Sequence, residues 1–363
     1  MDAVRYEAET LRAYAEALLR VAGMPDDRAS IVASILLEGD LLGHTTHGLA
    51  LLPGYLEEIA AGRMRVMGEP EVVADRGGTV LLDGRRLPGP WLVDHAVGIA
   101  RARVAAHGTC TVVIRRSHHI ACLAAYLRPV AEAGLVMLLM SSDPNVASVA
   151  PHGGTRALLT PNPIAAGFPA PGRPILMDVS ASTTTNGLTG RLRAEGARLP
   201  APWVLDAAGQ VTDDPAVLFT NPPGTILPLG GVESGHKGFA LGLLVEALTA
   251  ALGGFGRADP GEGWGAAVFV QLIDPAAFGG REAFQRQMGW LAEAAEANPP
   301  RPGGSPVRMP GARGLALRDQ QLADGVTLYP GILNALLPWA DRLGVALPEP
   351  LATASVKQSL GEL

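Results

Sequence analysis

Gly261-Glu262-Gly263-Trp264-Gly265-Ala266 runs directly into an apolar, β-branched run, Ala266–Ile273 (AAVFVQLI). The letters satisfy G-x-G-x-x-G/A, the dinucleotide-binding turn in which a strand precedes the glycines and a helix follows. Here the strand comes after the glycines. The reversed order excludes a Rossmann turn and leaves Ala266–Ile273 as a strand of some other α/β arrangement. A second stretch, Gly231-Val232-Glu233-Ser234-Gly235-His236-Lys237, approaches a P-loop. His236 interrupts its Gly-Lys pair and no Ser or Thr follows Lys237, so that reading fails too.

Working outward, short apolar runs bounded by turn residues predict strands at Thr79–Asp83, Thr111–Arg115, Leu135–Ser141, Ile164–Phe168 and Ile175–Val179. Helical spacing marks Trp91–Ala106 and Ala121–Ala133, the latter expected to kink at Pro129. A strong helix follows Lys237 and ends at Gly253-Gly254; Arg281–Ala297 is another, and Asn298–Ser305 is a loop. Before Gly77 the pattern is helical. Leu11, Tyr14, Ala15, Leu18, Leu19 and Ala22 share one stripe, with Thr10 as N-cap and Gly23 as stop. A second helix starts after Pro25 with Asp26 and Asp27 at its positive end, and its stripe is Ile31, Val32, Ile35, Leu36 and Leu37. Residues after Tyr329 return to helix. The expectation is an α/β protein in three stretches: a helical 1–76, an α/β 77–310, and C-terminal helices in 311–363 that return to the first.

The chain has 363 residues, a formal net charge of −6 and no basic run, which argues against a nucleic-acid or anionic-membrane partner. It is 48% hydrophobic and 18% charged, a folded composition. With 45 Gly and 30 Pro it is rich in turns and close-packed loops, and 5% aromatics is little for a base- or sugar-stacking surface. Two cysteines, Cys110 and Cys122, make no disulfide framework. The first residues carry acids where a signal peptide needs bases, and the uncharged stretch Ala157–Gly172 holds four prolines. A cytoplasmic address is the expectation.

Four of the eight histidines fall in two compact segments: His44 and His47 in GHTTHG, His118 and His119 in RSHHIA. Imidazole changes charge near neutrality and suits general acid–base work. Each could equally be a satisfied polar loop residue. A metal reading lacks support, because His44-x-x-His47 has no acidic partner or Cys pair nearby in sequence. Lys237, the only lysine before Lys357, opens a helix where the dipole disfavours a cation; a phosphate bound there would reconcile the two. A solvated surface lysine is the other reading. The Ser141–Asn186 tract is rich in Ser, Thr, Asn, Pro and Gly, which lets backbone amides approach a ligand. Asp178 ends a strand within it, as a ribose or histidine partner or as a plain cap.

Taken in order, these segments resemble the malate/L-lactate dehydrogenase-like oxidoreductases, a family distinct from the Rossmann-type lactate and malate dehydrogenases. Asp40–Gly48 resembles its D-L-R-G-x-x-S-H-G, Ser117–His119 its S-x-H-F-G, Ala150–Gly154 its A-P-W-G-G and Thr160–Pro163 its G-T-N-P. Met177–Ser182 resembles L-D-M-A-T-S, and Leu227–Gly231 with Gly235–Gly238 resembles L-P-x-G-G…K-G-Y-G. The match spans nearly the whole chain.

The resemblance implies a non-Rossmann, mixed-sheet domain binding NAD or NADP, a homodimer with the site near the interface, and hydride transfer at C2 of a 2-hydroxy or 2-oxo acid. By motif position His119 is the proton donor and acceptor, His47 the second histidine, and Thr46 stands where Ser is common. Lys237, Asp178, Ser142, Asn162 and His236 fall at cofactor positions; Tyr55 and Arg116 fall to the substrate, and no metal is implied. Leu51 departs from the pattern, occupying the place of an Arg able to grip the substrate carboxylate. Either Arg115 or Arg116 replaces it, or the substrate is atypical, larger or less anionic than lactate or malate. Ile120 and Ala121 replace Phe and Gly. A ketimine reductase on the same scaffold is the nearest alternative; a metal-dependent hydrolase or a non-catalytic binding protein is the reading from another class.

Overall fold

The computed structural model describes residues 4–351 apart from Pro260 and Glu262. Helices α1 (Ala8–Val21), α2 (Asp26–Leu41) and α3 (Leu52–Ala60) come first. Strands β1 (Glu71–Asp75) and β2 (Thr79–Asp83), helix α4 (Gly89–His107) and β3 (Thr109–Ser117) follow. Next come α5 (Leu127–Glu132), β4 (Val136–Ser142), β5 (Pro163–Phe168), β6 (Ile175–Ser180) and α6 (Asn186–Ala194). Two-residue strands β7 (Val204–Leu205), β8 (Val211–Thr212) and β9 (Thr225–Ile226) precede α7 (Gly231–Glu246) and β10 (Ala266–Ile273). Helices α8 (Arg281–Glu296), α9 (Ala312–Asp324) and α10 (Ile332–Leu343) complete the described chain.

Seven strands form one mixed sheet in the order β1-β2-β3-β10-β4-β5-β6. Only β2 and β3 run parallel; the other neighbours are antiparallel. The fold is therefore α/β without a doubly wound parallel sheet. The late strand β10 lies at the centre, and Val268, Val270 and Leu272 on one face and Ala267 and Phe269 on the other are all buried. One face carries the main core, which runs from Val112, Ile114 and Val268 through α4 into α1, α2 and α3. The other packs Val113, Met140, Ile164 and Phe269 against Val245 of α7. Chain ends meet through a bridge between Tyr6 and Val326, and α10 packs on α1 and α3.

Several expectations need correction. Helix α1 begins at Ala8, with extended Glu7 at its N-cap instead of Thr10; Glu9 in the first turn pairs with Arg12. The single kinked helix expected over 121–133 is a 3₁₀ turn at Leu123–Tyr126 followed by α5. Pro129 falls in the first turn of α5, where its missing N–H has no partner to lose. Strand β1 lies ahead of the expected boundary at residue 76, and β7–β9 form a small sheet the sequence pattern does not mark. Most important, α7 starts at Gly231, so Lys237 sits in its second turn and not at its positive end. Gly235 and Gly238 belong to that helix because it packs flush: a Cβ at Gly238 would strike the Leu229 backbone. Part of the expected C-terminal helical stretch, residues 352–363, lies outside the described residues.

Candidate active site

The GHTTHG turn is built by α2 and a buried carboxylate. Gly43, at φ +85, ends the helix. Asp40, 1% exposed, accepts the Leu49 N–H at 2.7 Å. Gly48 is obligatory there, since a Cβ would collide with the Asp40 carboxylate. Arg191 of α6 clamps the turn from outside through Thr45, and stacks on Tyr329. Thr46 Oγ1 lies 2.9 Å from His47 Nδ1.

At the end of β3 the chain turns His118 and His119 opposite ways. His118 is fully buried against Glu58, 3.3 Å away. His119 faces a cavity of about 600 Å³ lined also by His44, Thr46, His47, Leu51, Asp178 and Trp264. The His47 and His119 rings stack at 6.1 Å, and Trp264 covers His119 at 5.6 Å. On the far side of His119, Nδ1 lies 3.0 Å from the Tyr55 hydroxyl and 3.2 Å from the Ala121 N–H. That hydroxyl also donates to the His119 carbonyl at 3.0 Å. Nε2 has no hydrogen-bond partner among the described residues.

Both neutral tautomers of His119 are provided for. With the proton on Nδ1, that N–H can donate to the Tyr55 oxygen and Nε2 offers a lone pair to the cavity. With Nδ1 accepting from Ala121, Nε2 carries the proton. Ala121 takes φ +59 to aim its N–H, the conformation for which the resembling motif has glycine. Burial, reinforced by the field of His47 and His118, lowers His119 to about 3. Burial first, then His44 and Arg191, lowers His47 to about 4. Both imidazoles are thus neutral at pH 7. Burial raises Asp178 and Asp143, which also line the cavity.

The other sequence-derived site residues are distributed differently. Asp178 reaches the cavity, its Oδ2 accepting the Ala124 N–H at 2.9 Å. Ser142 and Asn162 turn to Glu246 of α7: Ser142 Oγ and Asn162 Nδ2 both donate to Glu246 Oε1, as does Arg257 Nε. This network ties β4 and β5 to α7 behind the cavity wall. Lys237 and His236 are exposed and line neither this cavity nor the one beside it. Arg115 and Arg116 are both bound to Asp83 and stand outside the cavity, because that fully buried carboxylate needs two cations. Leu51 does line it, and no arginine or lysine does among the described residues. The expectation that Arg116 meets the substrate is therefore not met by its position.

A second cavity of about 860 Å³ adjoins the first and shares His44 and Asp178 with it. Arg301, Arg308 and Arg313 line it, and none has a carboxylate partner among the described residues. Sequence reasoning missed this trio, Trp264, Asp143 and Cys122. The signal for Trp264 lay in the rejected Gly261–Ala266 stretch, whose glycines let its indole fold back over His119. Nothing local marks Cys122, which meets the site only in three dimensions.

This architecture is that of an oxidoreductase, and the comparisons agree. Residues 6–337 match the family model described as malate/L-lactate dehydrogenase, and the chain belongs to that family. It is 33% identical over 344 residues to an L-lactate dehydrogenase of Cupriavidus necator, covering 93% of this chain and 97% of that protein. A Δ1-pyrroline-2-carboxylate reductase of Ancylobacter novellus is 29% identical over 320 residues, 85% of this chain and 90% of that one. The solved malate dehydrogenase of Pyrococcus horikoshii OT3 superposes with a TM-score of 0.85 at 25% identity, covering 96% of this chain and 97% of that one.

Proposed function

We propose that this hydroxy-acid oxidoreductase uses NAD or NADP and acts at C2 of a 2-hydroxy or 2-oxo acid, with His119 moving the proton of the substrate oxygen. The observation that carries this is His119 itself, with Nδ1 held by Tyr55 and Ala121 and Nε2 without a partner among the described residues, beside the cavity. The chemistry that a nicotinamide would supply in this cavity is hydride transfer to or from C2. His119, neutral with its lone pair on Nε2, takes the hydroxyl proton in oxidation; the imidazolium returns it in reduction. His47, fixed by Thr46, orients the substrate oxygen. Trp264, Leu51 and Ile120 exclude water.

The adjoining cavities suit an elongated cofactor. Arg301, Arg308 and Arg313, without a carboxylate partner among the described residues, would hold its phosphates, and Asp178, between the two cavities, its ribose. Lys237 and His236 are less suited by position, and Ser142 and Asn162 act behind the wall. The substrate is atypical in this reading: Leu51 offers an apolar contact where a guanidinium would bind a carboxylate. A cyclic ketimine acid remains the second reading, favoured by the likeness to the pyrroline-2-carboxylate reductase. A homodimer is supported by Phe278, Trp290 and Leu291, all exposed in the single chain. No helix among the described residues is long and apolar enough to cross a membrane.

The test is NAD(P)H oxidation over 2-oxo acids, their esters and cyclic imines, with His119→Ala alongside. Turnover of one class is expected, cut by ~10²–10⁴ in the variant. Undiminished turnover in His119→Ala would remove it from the chemistry.

A further inference from the structure

Three segments far apart in sequence converge beside the catalytic histidines. His44 comes from the turn after α2, Cys122 from the loop before the 3₁₀ turn, and Asp178 from β6. One donor atom from each, an imidazole nitrogen, the thiol sulfur and a carboxylate oxygen, lies within 4.8 Å of the other two. All three residues line the first cavity. We propose that His44, Cys122 and Asp178 form a binding site for a zinc-type divalent cation, and that its occupation blocks the cavity.

The donor set argues for the class of cation. Nitrogen, sulfur and oxygen together suit zinc and its borderline neighbours; magnesium and calcium take oxygen alone. The charges close as well. One thiolate and one carboxylate balance a dication, and His44 contributes as a neutral ligand, so the bound group adds no net charge to a buried place. Binding breaks the Cys122 S–H bond, forms a sulfur–metal bond and releases the proton to water, with no change in oxidation state. Tetrahedral bonds of ~2.0–2.3 Å place ligand atoms about 3.5 Å apart, so the three donors must close by about 1 Å. His44 can supply that movement, since its ring makes no hydrogen bond among the described residues and follows Gly43. Asp178 is already oriented: the Ala124 N–H holds its Oδ2 at 2.9 Å, and Cys122 Sγ lies 3.9 Å from the same oxygen.

Three protein ligands leave a fourth position, and it opens on the cavity. His44 and Asp178 also border the second cavity, so a cation held there stands in the passage between the two. The binding claim stands on the donor geometry alone; the block of turnover rests on the function proposed above.

Cobalt(II), titrated into the metal-free full chain, serves as the coloured stand-in for zinc. A sulfur-to-cobalt charge-transfer band saturating at one equivalent and erased by zinc is expected. Cys110→Ala, altering the other buried thiol in β3, keeps the band, and Cys122→Ala loses it. His44→Ala, which truncates a half-buried ring that makes no hydrogen bond among the described residues and so should fold regardless, weakens binding by more than ~100-fold. No thiolate band, or an undiminished band in Cys122→Ala, overturns the site. In NAD(P)H oxidation zinc should inhibit the parent and leave Cys122→Ala, whatever its rate, unaffected; equal inhibition of both overturns the block. If metal-free protein oxidises no NAD(P)H at all, the functional reading fails while the cobalt titration still decides the site.

Discussion

The Tyr55 hydroxyl sits 3.0 Å from His119 Nδ1 and 3.0 Å from the His119 carbonyl, pinning the imidazole at both ends of its own residue. Tyr55 is fully buried, so this hydroxyl has no water to turn to. Tyr55→Phe keeps the ring and its packing on Trp264 and frees the imidazole. The expected loss is ~10-fold or more in kcat with little change in KM, and about 1 kcal/mol in stability. Steady-state kinetics with a thermal melt separates the two; an unchanged kcat would make Tyr55 a packing residue only.

Burial holds His119 near 3 and His47 near 4, well below the usual imidazole value of 6.5. Both should stay neutral from pH 5 to 8, and oxidation should need no deprotonation of His119 in that range. Reduction, which needs the imidazolium, should slow as pH rises. Nitrogen chemical shifts of a His119-assigned sample report the state directly. A titration step for His119 near 6.5 would contradict its desolvation.

Asp40 works the other way. Burial raises its carboxyl from 3.8 to about 7, and Oδ1 has no hydrogen-bond partner among the described residues. Below pH 4 the carboxyl is protonated folded or unfolded. Between 4 and 7 the unfolded chain releases the proton and the folded one does not, so the stability this group contributes in acid is lost as pH rises. Asp40→Asn removes the titration. Its stability relative to the parent should improve by ~3 kcal/mol between pH 4.5 and pH 8 in urea unfolding; a pH-independent difference would contradict the raised value.

Leu51→Arg places a guanidinium in a cavity that has no cation among the described lining residues. For a small 2-oxo acid KM should fall ~10-fold or more, from a charge-assisted bond worth ~1.5–3 kcal/mol. A KM that stays put would mean the carboxylate is held elsewhere.

Arg308→Ala removes from the adjoining cavity one of three guanidiniums that have no carboxylate partner among the described residues. The Kd for NAD(P)H, read by fluorescence, should rise ~10-fold while the melting temperature barely moves. An unchanged Kd would turn attention back to Lys237.

The sequence was most legible where periodicity is strong and local: α2, α4 and β10 lie within two or three residues of where apolar spacing puts them. His47 and His119 stood out because few imidazoles occur and these cluster. Legibility failed where glycine serves packing. Gly231, Gly235 and Gly238 read as loop because helices avoid glycine, yet Gly238 lets α7 lie flush on Leu229 and Gly235 leaves room for His152 and Pro228, so the letters place Lys237 at a helix start where the structure has a second turn. It failed again for Cys122 and the arginine trio, whose meaning depends on neighbours hundreds of residues away or on another strand. Ser142 and Asn162 carry motif letters but point at Glu246, a direction that letters do not encode.

The central position of β10 also sets when this protein can become an enzyme. During synthesis β1-β2-β3 and β4-β5-β6 emerge as two half-sheets, each ending in a bare row of backbone donors and acceptors. The strand that seals the seam leaves the ribosome on the order of ten seconds later at ~5–20 residues per second. His119 follows β3 and Asp178 lies in β6, so the sheet that carries both is continuous only once β10 joins the two halves. Until then two sticky edges are open to the edges of neighbouring nascent chains, and a product truncated before residue 266 should be both inert and prone to aggregate.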